Sequence, residues 1–399
     1  MSVQSLGERR FLTPLVFATF AVIYSSTVVG ALVTPIASEF GITAGAVGLA
    51  AAAYALPGVV IGTIAGPLSD RLGRGWFLAG GTLILGALTI AAAAAPTFTW
   101  LIALRALAGL GASLVLPNMM AAVADRFAYR ERGRVIARIF FANTAGNLAG
   151  LSVAGVIAGA YGWRVSLAIA GILGVVAFAL LAGLHGRAHT APREVSFRAL
   201  YASVLGDRSA MSLLGSNLLG VVTWVAWTTY IVAFFQRAYG LPQGVASTYA
   251  LVQGCGMLVG SQIGGRLGDR IGQRLVLCSS LIGFGVLVLA VVLAVPALPV
   301  AIAGLLIAAL FYGMRATSNA ALMGQQVASA RATVFALSAA TVSAGTVIAG
   351  TGGGAAVDAG GFGALGVFCL VSAALSALVA AALVRERDDD GVVAAGPAL

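Results

Sequence analysis

The chain has 399 residues, 60% of them apolar and only 9% charged, with a mean hydropathy of +1.01. A soluble domain carries about a quarter charged residues because its surface faces water, so this composition excludes a soluble globular protein. The net charge of +10 comes from 23 Arg with no Lys, and its placement, described below, points to membrane topology and away from a nucleic-acid partner. The first charge-free run, Phe11 to Ser38, holds 28 residues. About 20 apolar residues cross the hydrocarbon core as helix. The run exceeds the apolar part of a cleavable signal peptide and is read as a retained first span. Further spans are predicted at 46–65, 77–95, 99–123, 135–160 and 165–184, the first running over 12–37. After a polar connector at 185–208 come 209–236, 244–263, 275–295, 299–323, 333–357 and 363–384. The expected architecture is an all-α membrane protein of twelve transmembrane helices in two six-helix pseudo-repeats. Its parts are an N-terminal half (1–184), a cytoplasmic connector (185–208), a C-terminal half (209–384) and a disordered tail (385–399).

On this topology 19 of the 23 Arg fall on one side, and only Arg164 and Arg237 on the other. Arg-rich loops stay in the cytoplasm, so both termini and the connector are expected there, in a bacterial-type inner membrane. Cys255, Cys278 and Cys369 all lie in predicted spans and imply neither disulfides nor a metal cage. His185 and His189 sit in the basic connector without acidic or Cys companions at ligand spacing, so no metal and no cofactor is expected. An internal repeat supports two halves. Gly66-Pro-Leu-Ser-Asp-Arg-Leu-Gly-Arg-Gly-Trp-Phe-Leu78 recurs as Gly265-Arg-Leu-Gly-Asp-Arg-Ile-Gly-Gln-Arg-Leu-Val-Leu277, with six of thirteen positions identical at an offset of 199 residues. Each copy follows the second span of its half, as parallel repeats about the membrane normal require.

These residues resemble the signature loop of the major facilitator superfamily: Gly66, Asp70, Arg71, Gly73 and Arg74 match it, and Asp269, Arg270 and Gly272 match its second copy. Arg105-Ala-Leu-Ala-Gly-Leu-Gly-Ala112, Glu131-Arg-Gly-Arg134 and Gly162-Trp-Arg164 resemble stretches of its twelve-helix drug:proton antiporter branch. Gly146, Gly150, Gly155 and Gly159 resemble that branch's fifth-helix motif, with Leu151 where the motif carries proline. The resemblance implies a gating latch formed by the signature loop and a coupling or gating role for Arg105. Taken as residues alone, the four glycines have the spacing of close helix packing.

Ionisable groups inside predicted spans are few. All 13 carboxylates lie in loops, tails or span ends, Glu39 among them, while Arg105 and Arg315 sit within spans. A buried Arg in hydrocarbon costs about 2.5–3.5 kcal/mol on insertion scales, so each should face a cavity or a partner. Arg315 is the candidate contact for an anionic substrate group. Tyr24, Asn118, Asn143, Asn147, Trp224, Trp227, Gln253, Tyr312 and Asn319 join it as candidate substrate residues, with Asn217 a further polar residue near mid-span. Asn143 and Asn147 are four apart and share a helix face. No catalytic His, acid pair or nucleotide motif lies in the spans, so an enzyme is not expected. The expected function is secondary active export of a small drug-like solute by alternating access. Uptake or exchange of a small organic anion, and a non-transporting membrane sensor, stand as alternatives. The expected partners are a small-molecule substrate, the lipid bilayer and a coupling ion, for a chain acting as a monomer.

Overall fold

The computed structural model describes residues 3–127, 129–183, 197–327 and 330–386; all the regular structure in them is helical. The first half of the connector, through residue 196, and the tail from 387 lie outside the described residues. Among the described residues ten helices are long and apolar enough to cross a membrane. The last of them, α15 (Arg331–Leu383), is broken by non-helical backbone at Gly360 and Gly361, so its 53 residues fall into two helical runs. A further helix, α12 (Leu251–Ile271), has 21 residues and is more polar, with Gln253 and Gln262 along it.

Three predicted spans are interrupted where hydropathy gives no sign of it. The first divides at Leu32 into α1 (Val3–Ala31) and α2 (Val33–Phe40). Pro35 has no N–H to give to the carbonyl of Ala31 four residues earlier, and the amide of Gln243 donates to that carbonyl instead. Gln243 opens α11 (Gln243–Tyr249), which follows α10 (Arg208–Tyr239). Its own Oε1 accepts from Gln236 Nε2 at 2.8 Å, and Gln236 Oε1 accepts from Thr34 Oγ1 at 2.6 Å. An uncharged relay thus clasps the α1–α2 break. The fifth span divides at Ser152 into α6 (Tyr129–Leu151) and α7 (Val153–Tyr161), and the eighth at Ala250 into α11 and α12.

Contacts resolve the chain into two compact units, Met1–Arg193 with Thr229–Ala250, and Glu194–Thr228 with Leu251–Leu399. In the first unit α3 (Ala44–Leu72) packs on α5 (Phe98–Arg126), and α4 (Arg74–Ala93) on α5 and α8 (Trp163–Ala182). Glycines Gly146 and Gly150 set α6 against α1, where a Cβ would fall 2.7 Å from Phe20 O and 2.1 Å from Thr27 Oγ1. Gly155 and Gly159 set α7 against α11 in the same way, so all four serve close packing. In the second unit α12 lies along α14 (Leu298–Gln326), and α13 (Gln273–Ala294) on α14 and α15. A Cβ at Gly260 would come within 1.9 Å of Leu310 O, and one at Gly313 within 2.2 Å of Met257 O. Without a hydrophobic drive between helices in lipid, this closeness is what holds them together.

Candidate functional site

The second unit gathers three of the candidate substrate residues, with Asn217, around Arg315, which is 4% exposed in the middle of α14. Its Nη1 donates to Tyr312 OH at 3.1 Å, and Nη2 donates to both Asn217 O at 3.1 Å and Asn217 Oδ1 at 2.9 Å. Asn319, one turn further along α14 and so on the same face, donates from Nδ2 to the same Asn217 Oδ1 at 3.0 Å. Asn217 in turn donates to Ser338 Oγ at 3.3 Å and Thr341 Oγ1 at 2.9 Å on α15. It is therefore the hub that ties α10, α14 and α15 together. Gly220, one turn on from Asn217, makes room for the cation: a Cβ there would meet the guanidinium at 2.6–2.8 Å. Trp224 stacks on Tyr312 with centroids 4.1 Å apart and planes 11° from parallel, and Phe284 lies against both rings. No acid is among the partners of Arg315 in the described residues. Its Nε and Asn319 Oδ1 are buried without a hydrogen-bond partner.

In the first unit Arg105 is fully buried near the start of α5. Nη2 donates to Ser25 O at 2.8 Å and Nη1 to Ser25 Oγ at 3.2 Å, with Cζ 4.2 Å from the centre of the Tyr54 ring. Tyr54 is itself fixed by donating to Val22 O at 3.1 Å. A cation held by a carbonyl, a hydroxyl and an aromatic face is stabilised without a counter-charge. Tyr24, Asn118, Asn143 and Asn147 belong to this unit and not to the Arg315 cluster. Asn118 spends its Nδ2 on Leu114 O at 2.6 Å in its own helix, and Asn143 and Asn147 are half-buried. Trp227 is buried on α10, and Gln253 is buried with both amide atoms unpartnered.

The signature loop and its copy share one backbone geometry. Gly73 has φ 96° and ψ 121°, Gly272 φ 95° and ψ 137°, and each N–H closes its helix onto a carbonyl four residues back, Ser69 O at 2.9 Å and Gly268 O at 3.0 Å. Positive φ at both sites needs glycine. Gly66, Asp70 and Arg71 fall in α3, but as side-chain positions they lie outside the described residues; Arg74 opens α4. In the second copy Arg270 is exposed, and Asp269 Oδ1 accepts from Gln273 Nε2 at 3.2 Å. The neighbouring Arg274 makes the longer reach: its N–H donates to Glu386 and its Nη1 to Val384 O at 3.1 Å. A second charged cluster joins three loops of the first unit. Arg164 donates to Glu39 Oε1 at 2.7 Å from Nη2, and to Ala93 O at 2.7 Å and Ala95 O at 3.0 Å, while Trp163 Nε1 also donates to Glu39. Desolvation pushes the Glu39 carboxyl up, but the Trp163 and Arg164 hydrogen bonds and the Arg164 charge together outweigh it and hold it below the usual range.

Sequence reasoning found the Arg, Trp, Tyr and Asn319 of the cluster, and placed Asn217 only among mid-span polar residues. It missed Ser338 and Thr341, whose three-residue spacing on one helix face was the available signal, and Ser25 as the acceptor for Arg105. Comparison with known proteins bears on the whole chain. The Major Facilitator Superfamily description matches residues 15–257 and again 213–398. The 4-hydroxybenzoate transporter PcaK of Pseudomonas putida is 28% identical over 227 residues, 51% of this chain and 50% of its own. The multidrug transporter protein MdtP of Bacillus subtilis is 27% identical over 233 residues, 57% of this chain and 42% of its own. The chain thus spans about half the length, or less, of these curated relatives. A crystal structure of a D-xylose-proton symporter superposes with a TM-score of 0.76, covering 94% of this chain and 98% of that one at 16% identity, which shows the fold. Two matches that together run from residue 15 to 398 and this shared fold establish that the chain is a multi-pass membrane protein of the major facilitator superfamily.

Proposed function

We propose that this protein is a secondary transporter that moves a small organic solute across the inner membrane by alternating access, in the direction of export. The observation that carries the reading is the Arg315 cluster, a buried cation beside a stacked Trp–Tyr pair in the core of a polytopic helical protein. Intramembrane charge without a lipid-facing or structural ion pair marks a substrate or ion pathway. The direction rests on the antiporter-like stretches and on similarity to the multidrug transporter MdtP. In this reading the chain crosses the membrane twelve times in two six-helix halves, with Asp70, Arg71 and Arg74 as the latch of the shut state. A second reading, uptake or exchange of a small organic anion, is favoured by the absence, among the described residues, of any acid bonded to Arg315 and by similarity to PcaK. Inside-out vesicles carrying the protein are expected to accumulate ethidium when energised. Accumulation of labelled benzoate by right-side-out vesicles, with no ethidium movement, would favour the second reading. Movement of neither above empty vesicles would contradict both.

A further inference from the structure

The unused hydrogen-bonding valences at Arg315 narrow the kind of solute it can hold. Of the five guanidinium donors, three on the terminal nitrogens bond Tyr312 and Asn217, which leaves the second Nη1 hydrogen unspent and Nε–H without a partner. One turn away, Asn319 has its Nδ2 committed to Asn217 Oδ1 and its Oδ1 unpartnered. The cluster therefore offers positively charged donors, Nε–H and the second Nη1 hydrogen, and one neutral acceptor on the same face of α14. Turning the Asn319 amide over would set its oxygen against Asn217 Oδ1, so the acceptor is fixed by the hub. A bare carboxylate satisfies the donors and leaves the acceptor empty. A carboxylate on a body that also carries a hydroxyl or amine satisfies both.

The surroundings set the rest. The Trp224–Tyr312 stack with Phe284 against it flanks the guanidinium, with the Arg315 Cζ 5.3 Å from the Tyr312 ring centre. A flat apolar ring suits that wall. A second carboxylate would have no cation to meet, since Arg315 is the only charged side chain in the described part of this cluster, and burying it unpaired is costly. We propose that the Arg315 site takes a small aromatic monocarboxylate that also bears a hydroxyl or amine, the carboxylate meeting Arg315 Nε and the second group donating to Asn319 Oδ1. This deepens the transporter reading, on which it rests, and holds for either direction of movement.

The test is thermal stabilisation of the purified full chain in detergent by benzoate, the three hydroxybenzoate isomers, cyclohexanecarboxylate, phthalate and ethidium, since a ligand of the native state stabilises by mass action. At least one hydroxybenzoate should bind more tightly than benzoate, and benzoate more tightly than cyclohexanecarboxylate or phthalate. Asn319→Leu should erase the advantage of the hydroxybenzoates over benzoate, whatever change it makes to both together. Arg315→Lys keeps the charge but loses the Nε donor, and should weaken all the carboxylates at least about tenfold. The Asn319 variant and the wild-type series stand even if the Arg315 variant does not fold. Stabilisation by ethidium with none of the carboxylates would overturn the proposed class and leave the transporter reading in place. Equal binding of benzoate and every hydroxybenzoate, or an advantage that survives Asn319→Leu, would overturn the role of Asn319 and with it the proposal.

Discussion

Asn217 shows how one side chain can decide whether a buried cation is tolerable. Its Oδ1 takes hydrogen bonds from both Arg315 and Asn319, and a donor left without its acceptor in a buried site costs about 1–3 kcal/mol. Asn217→Ala should therefore lower stability by about 2–4 kcal/mol, read as a large drop in the thermal unfolding midpoint. Asn217→Asp keeps the acceptor for Arg315 and Asn319 and adds a counter-charge, but it gives up the Nδ2 donor and leaves the Ser338 and Thr341 hydroxyls to donate instead. It should therefore lose less than Asn217→Ala; a loss as large as that of Asn217→Ala would remove the weight given to the Oδ1 acceptor. Glu39 makes a second residue-scale case. Its lowered carboxyl pKa means that its interactions stabilise the fold above the ordinary carboxylate range and are lost as pH falls through the folded value. Glu39→Gln should cost no more than about 1 kcal/mol at pH 7, because the pair is partly exposed and screened. The gap to wild type should close in acid; a gap that widens toward low pH would reverse the sign assigned here. Arg315 and its aromatic neighbours were legible because charge and aromatic rings inside an apolar run are conspicuous. Ser338 and Thr341 were not, since hydroxyls are common in membrane helices and only a partner across the bundle singles them out.

At the scale of elements, the spans were legible from charge gaps while their interruptions were not. Pro14 and Pro117 sit inside α1 and α5, which continue through them, so a proline alone does not foretell a break. The break at Leu32 is stabilised by a partner more than 200 residues away, since Gln243 supplies the donor that Pro35 lacks. Gln243→Leu should leave the Ala31 carbonyl without a donor and cost about 1–2 kcal/mol. Pro35→Ala restores an N–H four residues after Ala31, so the double variant should regain part of that loss. Thermal unfolding of the four proteins measures the coupling, and strict additivity would show that Pro35 and Gln243 do not share that carbonyl. The repeat was legible at Gly73 and Gly272 because only glycine takes their backbone conformation without strain. In the second loop Arg274 reaches the end of α15, a contact between distant parts of the chain that spacing does not announce.

For the whole molecule, composition gave the membrane and the Arg distribution gave an orientation. The Arg distribution predicts both termini and the connector in the cytoplasm; a single Cys at residue 190 should then resist an impermeant maleimide in sealed cells and react once they are opened, and efficient labelling in sealed cells would invert the topology. At the proposed site, substrate class was beyond reach of the sequence because it would depend on which hydrogen-bond valences remain unspent at Arg315, and those are set by contacts among α10, α14 and α15. The central claim is that the chain carries a solute through a site that contains Arg315. It is tested most directly by counterflow in proteoliposomes preloaded with unlabelled 3-hydroxybenzoate, 4-hydroxybenzoate or ethidium and given a trace of the same compound labelled outside. A carrier with a single alternating site draws label inward to a transient overshoot, and this protein is predicted to do so for at least one of the three, with the overshoot lost in Arg315→Gln. Slow equilibration without overshoot, equal to that of protein-free vesicles for all three, or an overshoot undiminished in Arg315→Gln, would contradict it.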